Sequence, residues 1–405
     1  MAAGRNFAGF FVIIPEFLLE RGQTIVDGVT MRVRGIKDMS RDSDLSYGVV
    51  EKADLIVCGD CDCEADVTPF ELFEFVNCPN CDAEVKIPGT LGEYLIFDVL
   101  GAGGMGAVFD AYDESLNRRV AIKVLKSGRL DDPDSFSSFK FEAQAIARLN
   151  HANIVQIYSF FEQNGSPCIV MENIGGGTLF DMMRERGPLD PGMVMAAAID
   201  IAHALEAASE ISIVHGDVKP QNILFDSQMT AKLVDFGLAS VEGEGQQEGI
   251  WGTPFYIAPE VITTKKSDFR SDIYSLGATL YHAIAGEPPF NGPTPKETAL
   301  MRIDARPPML GRFNRSVSSR VEDIIDRMMD PSPGMRYPTY KSLMGDLSKV
   351  ATGASKSLKN VSIPKRRKSA TQHVSSPVTR RERSSADESS SRHKRKRRGQ
   401  KKRRR

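Results

Sequence analysis

The stretch Leu100-Gly101-Ala102-Gly103-Gly104-Met105-Gly106-Ala107-Val108, with the residues that follow it, decides the fold of this 405-residue chain. Its glycines spell G-x-G-x-x-G, a spacing shared by two unrelated ways of holding nucleotide phosphates. In a dinucleotide-binding unit a helix starts directly after the last glycine and aims its N-terminus at the pyrophosphate. Here Ala107-Val-Phe-Asp-Ala-Tyr112 alternates with period two, and Arg119-Val-Ala-Ile-Lys123-Val-Leu125 continues as a second β-rich run. Period two is the mark of a strand. The glycines are therefore expected to join two antiparallel strands as a flap whose bare backbone amides approach phosphates with no Cβ in the way.

Working outward, three further segments carry polar residues at fixed offsets: Ile169-Val-Met171-Glu172-Asn173-Ile174, then His215-Gly-Asp217-Val-Lys219-Pro-Gln-Asn222-Ile-Leu224, then Asp235-Phe236-Gly237. With the glycine flap and Val-Ala-Ile-Lys123 they resemble the eukaryotic-like Ser/Thr protein kinases, and GAGGMGAVFDAYDESLNRRVAIKVL is especially similar to their bacterial members. The resemblance covers residues 94–350 in the family's order and spacing. It implies an α+β, two-lobed fold, with a β-rich N-lobe and a helical C-lobe, and transfer of the γ-phosphoryl group of Mg-ATP to protein Ser/Thr hydroxyls.

The resemblance also implies roles. Lys123 would hold the α- and β-phosphates, fixed by Glu142 in the helical stretch Phe139–Leu149. The flap, Leu100 to Gly106, would cover the phosphates. Ile169–Ile174 would be gatekeeper and hinge, with Met171 beside the adenine and backbone groups of Glu172 and Ile174 reading it, while Val108, Ala121 and Leu224 pack on its faces. Asp217 would accept or orient the substrate hydroxyl, Lys219 would neutralise charge on the moving phosphoryl group, and Asn222 and Asp235 would hold Mg²⁺. Two oxygen ligands plus a nucleotide suit an ion that keeps several waters. Lys219, two residues past the aspartate, and Gly252-Thr253-Pro-Phe-Tyr-Ile-Ala258-Pro259-Glu260 resemble Ser/Thr rather than Tyr kinases. Glu260, Asp272 and Arg336 are expected to be structural anchors of the large lobe.

One departure stands inside the catalytic segment: Gly216 occupies the place of the family's arginine, which receives a phosphorylated activation loop. The loop from Leu238 to Thr253 offers hydroxyls at Ser240 and Thr253, its two ends. Receiver and phosphosites are missing together, so activity without loop phosphorylation is expected. A pseudokinase scaffold is the alternative that Gly216 raises; Lys123, Glu142, Asp217, Asn222 and Asp235, all of the expected type, oppose it.

Upstream, Cys58-Gly-Asp-Cys61 and Cys78-Pro-Asn-Cys81 form C-x2-C, sixteen residues, C-x2-C, the spacing of a zinc-ribbon-like module. Four thiolates close a tetrahedron around Zn²⁺, leave no open position for catalysis, and give a segment with little core most of its folding free energy. Cys63 could replace Cys61. Disulfides and a C-x-x-C redox site are the competing readings. Cys168, in an apolar run, is expected to be buried.

The outer segments follow from composition. The net charge of −1 conceals a division: residues 364–405 hold 18 Lys+Arg against 3 Asp+Glu, so a +15 arm is attached to a −16 body. Such an arm points to an acidic partner, its own body or nucleic acid; without aromatic residues it supports phosphate contact and not base stacking. Residues 352–391 carry fourteen Ser/Thr, including Ser376-Pro377, which suits autophosphorylation. The expected organisation is 1–57 of unread role, 58–90 the zinc module, 94–350 the kinase domain and 352–405 a disordered basic tail. Asp27-Gly28, between β-rich runs, predicts a hairpin. Phe7–Leu19 is apolar, but Pro15 and Glu16 argue for a buried strand or partner-binding segment over a signal peptide. No run approaches the roughly 20 apolar residues of a membrane span, and a cytoplasmic location is expected. A nucleic-acid-associated regulatory protein is the remaining alternative function.

Overall fold

The computed structural model describes residues 24–26, 29–36, 50–58, 60–61, 63–102, 106–125, 143–144, 146–236, 240–241 and 255–351. The readings made on Phe7–Leu19, on the Asp27-Gly28 turn itself and on the tail lie outside these residues. The chain forms two compact units, one containing Lys52–Ile87 and the other running on from Pro88.

In the first unit, β1 (Thr24–Val26) and β2 (Val29–Ile36) pair antiparallel with Val26 opposite Val29, the register of a tight hairpin. β2 pairs with β3 (Glu51–Val57), and β3 with β4 (Glu64–Asp66). A separate hairpin joins β5 (Phe75–Asn77) to β6 (Glu84–Lys86). The two cysteine-bearing tips are built alike: Cys58 N–H donates to the Cys63 carbonyl at 2.9 Å, and Cys78 N–H to the Ala83 carbonyl at 2.8 Å. The strand that leads into the first tip begins at Glu51, ahead of position 58, and buries Ala53 and Ile56, as the unit also buries Val67, Val76, Val85 and Ile87. The Lys52 ammonium is buried and donates to the carbonyls of Val67 (3.2 Å), Thr68 (2.8 Å) and Phe70, so its three N–H groups are matched.

The second unit opens with an antiparallel sheet of β7 (Gly89–Leu91), β8 (Tyr94–Ala102), β9 (Gly106–Asp113), β10 (Arg118–Leu125), β11 (Ile157–Gln163) and β12 (Ser166–Glu172), in the order β7-β8-β9-β10-β12-β11. β8 and β9 pair down to Ala102 opposite Ala107, so the glycine flap joins antiparallel strands as its period-two neighbours require. Gly106 is demanded by packing: a Cβ there would sit 2.0 Å from the Val124 carbonyl oxygen.

The large lobe contains α1 (Leu179–Arg186), α2 (Pro191–Glu210), β13 (Ile213–Val214), β14 (Ile223–Phe225), β15 (Ala231–Leu233), β16 (Ser240–Val241), α3 (Pro259–Thr264), α4 (Phe269–Ala285), α5 (Pro295–Asp304), α6 (Ser319–Met328) and α7 (Tyr340–Ala351). Its helices start where the sequence supplies caps. Thr178 and Asp181 form a reciprocal capping box on α1, Asp190 with Pro191 opens α2, and Asp268 opens α4. Gly286, at φ +81°, ends α4 in a left-handed turn. α2 is long and apolar enough to cross a membrane by length and composition, but more than half of that window is buried in the lobe; it packs as a core helix. α4 is buried along most of its length and forms the lobe's axis. The expected anchors sit beside it. Arg336, fully buried, makes a two-pronged pair with Glu260 at 2.7 and 2.8 Å.

Candidate active site

The floor of the site is the loop His215–Asn222 between β13 and β14. It is pinned from below by Asp272, whose carboxylate accepts the N–H groups of His215 (2.8 Å) and Gly216 (2.9 Å). Burial pushes Asp272 up to about 7 against the opposing pull of those two N–H groups. Gly216 has φ +74°, a left-handed conformation that only glycine adopts without strain. The His215 ring, driven down to about 4 by burial, is neutral. Its Nδ1 accepts the Asp217 N–H at 3.2 Å and its Nε2 faces the Val234 carbonyl at 3.2 Å. That arrangement puts the proton on Nε2 and rivets the loop to the strand that leads into Asp235. Phe236 stacks obliquely on His215, centroids 4.3 Å apart.

Two lysine–aspartate pairs occupy this floor. Lys219 Nζ lies 2.6 Å from Asp217 Oδ2. Burial raises the Asp217 carboxyl while Lys219 pulls it back. Asn222 donates its amide N–H groups to the Asp217 carbonyl (2.9 Å) and carboxylate (3.2 Å), so its oxygen is the atom it can present to a cation. Lys123, projecting from β10, lies 2.7 Å from Asp235 Oδ1. Burial would raise Asp235, but Lys123 overrides it and holds the carboxyl at about 2. Asp235 has φ +64°, a strained backbone for a non-glycine residue that turns its carboxylate into the cleft while Phe236 goes to the core.

Above the floor is an open cleft of about 880 Å³. Of the residues expected to bind nucleotide or metal, Leu100, Gly101, Val108, Ala121, Lys123, Met171, Glu172, Ile174, Asn222, Leu224 and Asp235 line it. Ala102 and Gly106 belong to the flap strands and stand outside the lining. Gly103, Gly104, Met105, Glu142, Gly237 and Thr253 lie outside the described residues. The cleft also uses Ile169, from the expected gatekeeper and hinge segment, and Ile146, Val155, Ile157 and Val234, which the sequence reading did not single out as site residues. Ile169 is the cross-strand partner of Lys123.

In the other unit the sulfurs of Cys58, Cys61, Cys78 and Cys81 lie within 4.8 Å of one another, with Cys58–Cys81 and Cys61–Cys78 each at 3.6 Å. That spacing fits the edges of a thiolate tetrahedron around a small cation. Cys63 takes the place that Ala83 holds in the second tip and turns its thiol to the Glu64 carbonyl at 3.5 Å, which leaves Cys61 with the set.

A family model described as the protein kinase domain matches residues 94–346. A probable serine/threonine-protein kinase of Clostridium perfringens is 36% identical over 260 residues, 64% of this chain and 38% of that protein. Serine/threonine-protein kinase PknB of Mycobacterium leprae is 35% identical over 274 residues (66% and 44%), and PknL of Mycobacterium tuberculosis is 34% identical over 293 residues (71% and 72%). The chain thus spans less than half the length of the first two. Among solved structures, the kinase domain of Mycobacterium tuberculosis PknI superposes with a TM-score of 0.54 at 28% identity, over 65% of this chain and 97% of that one.

Proposed function

The chain belongs to the protein kinase domain family through residues 94–346, and from that membership we propose that it is an ATP-dependent protein serine/threonine kinase. The observation that carries this reading is the meeting of Asp217–Lys219–Asn222 and Lys123–Asp235 in one cleft. Phosphoryl transfer asks a protein mainly for placement and charge neutralisation. Lys123 would draw the α- and β-phosphates as it now draws Asp235. Asp217 orients the substrate hydroxyl and takes its proton, held in place by Lys219 and Asn222, and Lys219 then faces the moving phosphoryl group. The Asn222 oxygen and the Asp235 carboxylate form a hard oxygen set of the kind Mg²⁺ takes, and they would hold it. When bound, Mg²⁺ supplies neutralisation of phosphate charge. Leu100, Val108, Ala121 and Leu224 offer apolar faces to adenine, and the hinge backbone at Glu172 and Ile174 offers it hydrogen-bond partners.

The test is transfer from labelled ATP to protein substrates and to the chain itself, with Asp217→Asn as control. Equal, near-background incorporation by both proteins while ATP still binds would replace the enzyme with the pseudokinase reading. Substrates are proposed to be protein Ser/Thr hydroxyls, including those of residues 352–391, and the place of action the cytoplasm.

For the first unit we propose a structural Zn²⁺ held by Cys58, Cys61, Cys78 and Cys81, supported by the gathering of those four sulfurs. Metal content of the purified chain and of a Cys61→Ser variant tests it. Residues 58–87 carry eight acidic side chains and one lysine, so this module repels phosphate backbones. Any nucleic-acid contact therefore falls to the basic tail. The tail's competing partner is the acidic body, at the high effective concentration of a tether. Removing residues 352–405 is expected to change activity mainly at low salt if that partner is its own body.

A further inference from the structure

The cleft's hinge is fastened by side chains that cross it in opposite directions. Glu172 is the last paired residue of β12: it stands opposite Val120 and its N–H donates to the Gln156 carbonyl at 2.9 Å. Its carboxylate nevertheless reaches the large lobe, where Lys232 on β15 meets both oxygens at 3.0 Å. The two side chains are 26% and 13% exposed. The next residue reaches the other way. Asn173 Nδ2 donates to Asp110 on β9 at 2.7 Å, and the other oxygen of Asp110 pairs with Arg119.

Past this crossing the chain is fixed again. The Phe225 N–H donates to the Gly177 carbonyl at 3.1 Å, and a Cβ on Gly176 would lie 2.2 Å from the Phe225 carbonyl oxygen. Between the two anchorages stands Gly175, exposed and with open space where a Cβ would be. Gly175 thus has room that its neighbours lack, while Glu172 and Asn173, which line the cleft, are held by side-chain contacts to the two lobes.

We propose that Lys232 is a positioning residue for the nucleotide: by holding Glu172 from the large lobe it fixes the hinge backbone that meets the base. Lys232 itself is not among the residues that line the cleft, so its effect travels through Glu172. The proposal rests on the ATP-dependent reading of the same cleft.

The experiment measures KM for ATP, kcat and ATP affinity by equilibrium binding, on full-length wild type, Lys232→Met, Lys232→Arg and Glu172→Gln, at low and high ionic strength. A partly exposed ion pair supports about a two- to fivefold effect. Lys232→Met is expected to raise KM and the dissociation constant by that factor at low salt, with kcat at saturating ATP retained, and Glu172→Gln is expected to raise the dissociation constant at least as much. Lys232→Arg, which can still grip both oxygens, restores the wild-type value. Raising salt narrows the gap in KM between wild type and Lys232→Met, since both keep the phosphate contacts of Lys123 and only wild type has the ion pair to lose. An unchanged KM in Lys232→Met overturns the proposal, even where its melting temperature falls, because Lys232 then serves stability alone. A KM rise that Lys232→Arg fails to reverse overturns it as well. If wild-type protein binds no ATP, the kinase reading falls, and this proposal with it.

Discussion

The cysteine-bearing unit and the large lobe achieve a fixed fold by opposite means. In Lys52–Ile87 the strands are three to seven residues long and the buried apolar set is small. In the large lobe one continuous apolar core runs from Leu179 to Leu347 and includes most of α2 and α4. Charges follow the same division. Acidic side chains crowd residues 58–87, with Lys86 the one cation there, whereas in the lobe the buried Arg336 is matched by Glu260. A segment that cannot bury enough apolar surface to offset its ordering entropy needs another source of cohesion, and the Zn²⁺ proposed for its four converging thiols would supply one. The lobe needs none, and can hold strained backbone at Asp235 for chemistry instead.

The sharpest way to break the comparison is to remove the metal. Structural zinc binding is worth about 10–16 kcal/mol in small modules, more than a segment of this size has in reserve. Chelation is expected to expose residues 51–87 to proteolysis while the unfolding transition of the catalytic domain stays where it was. Retained protection after the zinc is gone would show that the small apolar cluster and Lys52 suffice.

Next in size is the lobe's own ionic anchor. Arg336→Met leaves Glu260, 15% exposed, without its cation and is expected to cost about 3 kcal/mol, read as a fall in the urea midpoint at unchanged slope. The double variant Arg336→Met/Glu260→Leu should recover much of it, because the penalty is the unpaired charge. If the single variant costs under about 1 kcal/mol, the lobe rests on its apolar core alone and the contrast with the first unit becomes sharper.

The lobe also carries titrating groups whose sign is fixed by burial. His282 accepts the Tyr256 hydroxyl at 2.8 Å and burial drives it down to about 4; His215 is driven down to the same value. As pH falls from the ordinary imidazole value near 6.5, the unfolded chain takes up these protons before the folded one does. The histidines' contribution is therefore full above 6.5 and is lost between 6.5 and 4, while Asp272, raised to about 7, works in the opposite direction over the same range. Each histidine contributes about 1–3 kcal/mol to that loss. His282→Gln, which keeps a polar partner for Tyr256, should remove its share, so that stability falls less, or rises more, as pH drops through that window. An unaltered slope would mean that His282 reaches solvent when charged.

What the sequence made legible divides along the same line. The segments that meet in the cleft could be read because the proposed chemistry restricts their residue types: Asp217, Lys219, Asn222, Lys123 and Asp235 are each of a type that few others replace. The four clustered cysteines were legible for the same reason, and the strand–flap–strand reading followed from period two alone. The apolar back of the cleft was not, since Ile146, Val155 and Ile157 look like any inward strand or helix residues until the fold brings them together. Nor were Lys232 and Asp110, whose partners lie 60 and 63 positions away. Long-range pairs of ordinary surface residue types leave no local trace. The strand β3, which starts at Glu51 and leads into the first cysteine tip, was not singled out either.

The smallest expected effect asks whether the lobe's matched core also absorbs strain at its reacting end. Gly216 sits at φ +74° between the two N–H groups that Asp272 holds. A side chain in that conformation costs about 1–2 kcal/mol. Asp272 clamps the turn from the rigid α4, so Gly216→Ala and Gly216→Arg should both lose about that much stability and keep the loop geometry. Transfer activity should survive in both, and phosphatase treatment should change neither. The arginine would have no phosphate to receive, because the loop from Leu238 to Thr253 offers hydroxyls only at its two ends, Ser240 and Thr253. If Gly216→Arg made activity depend on phosphorylation of Ser240 or Thr253, the lobe would be one substitution from a phosphate-gated switch, and its turn would be held less by Asp272 than its two hydrogen bonds indicate.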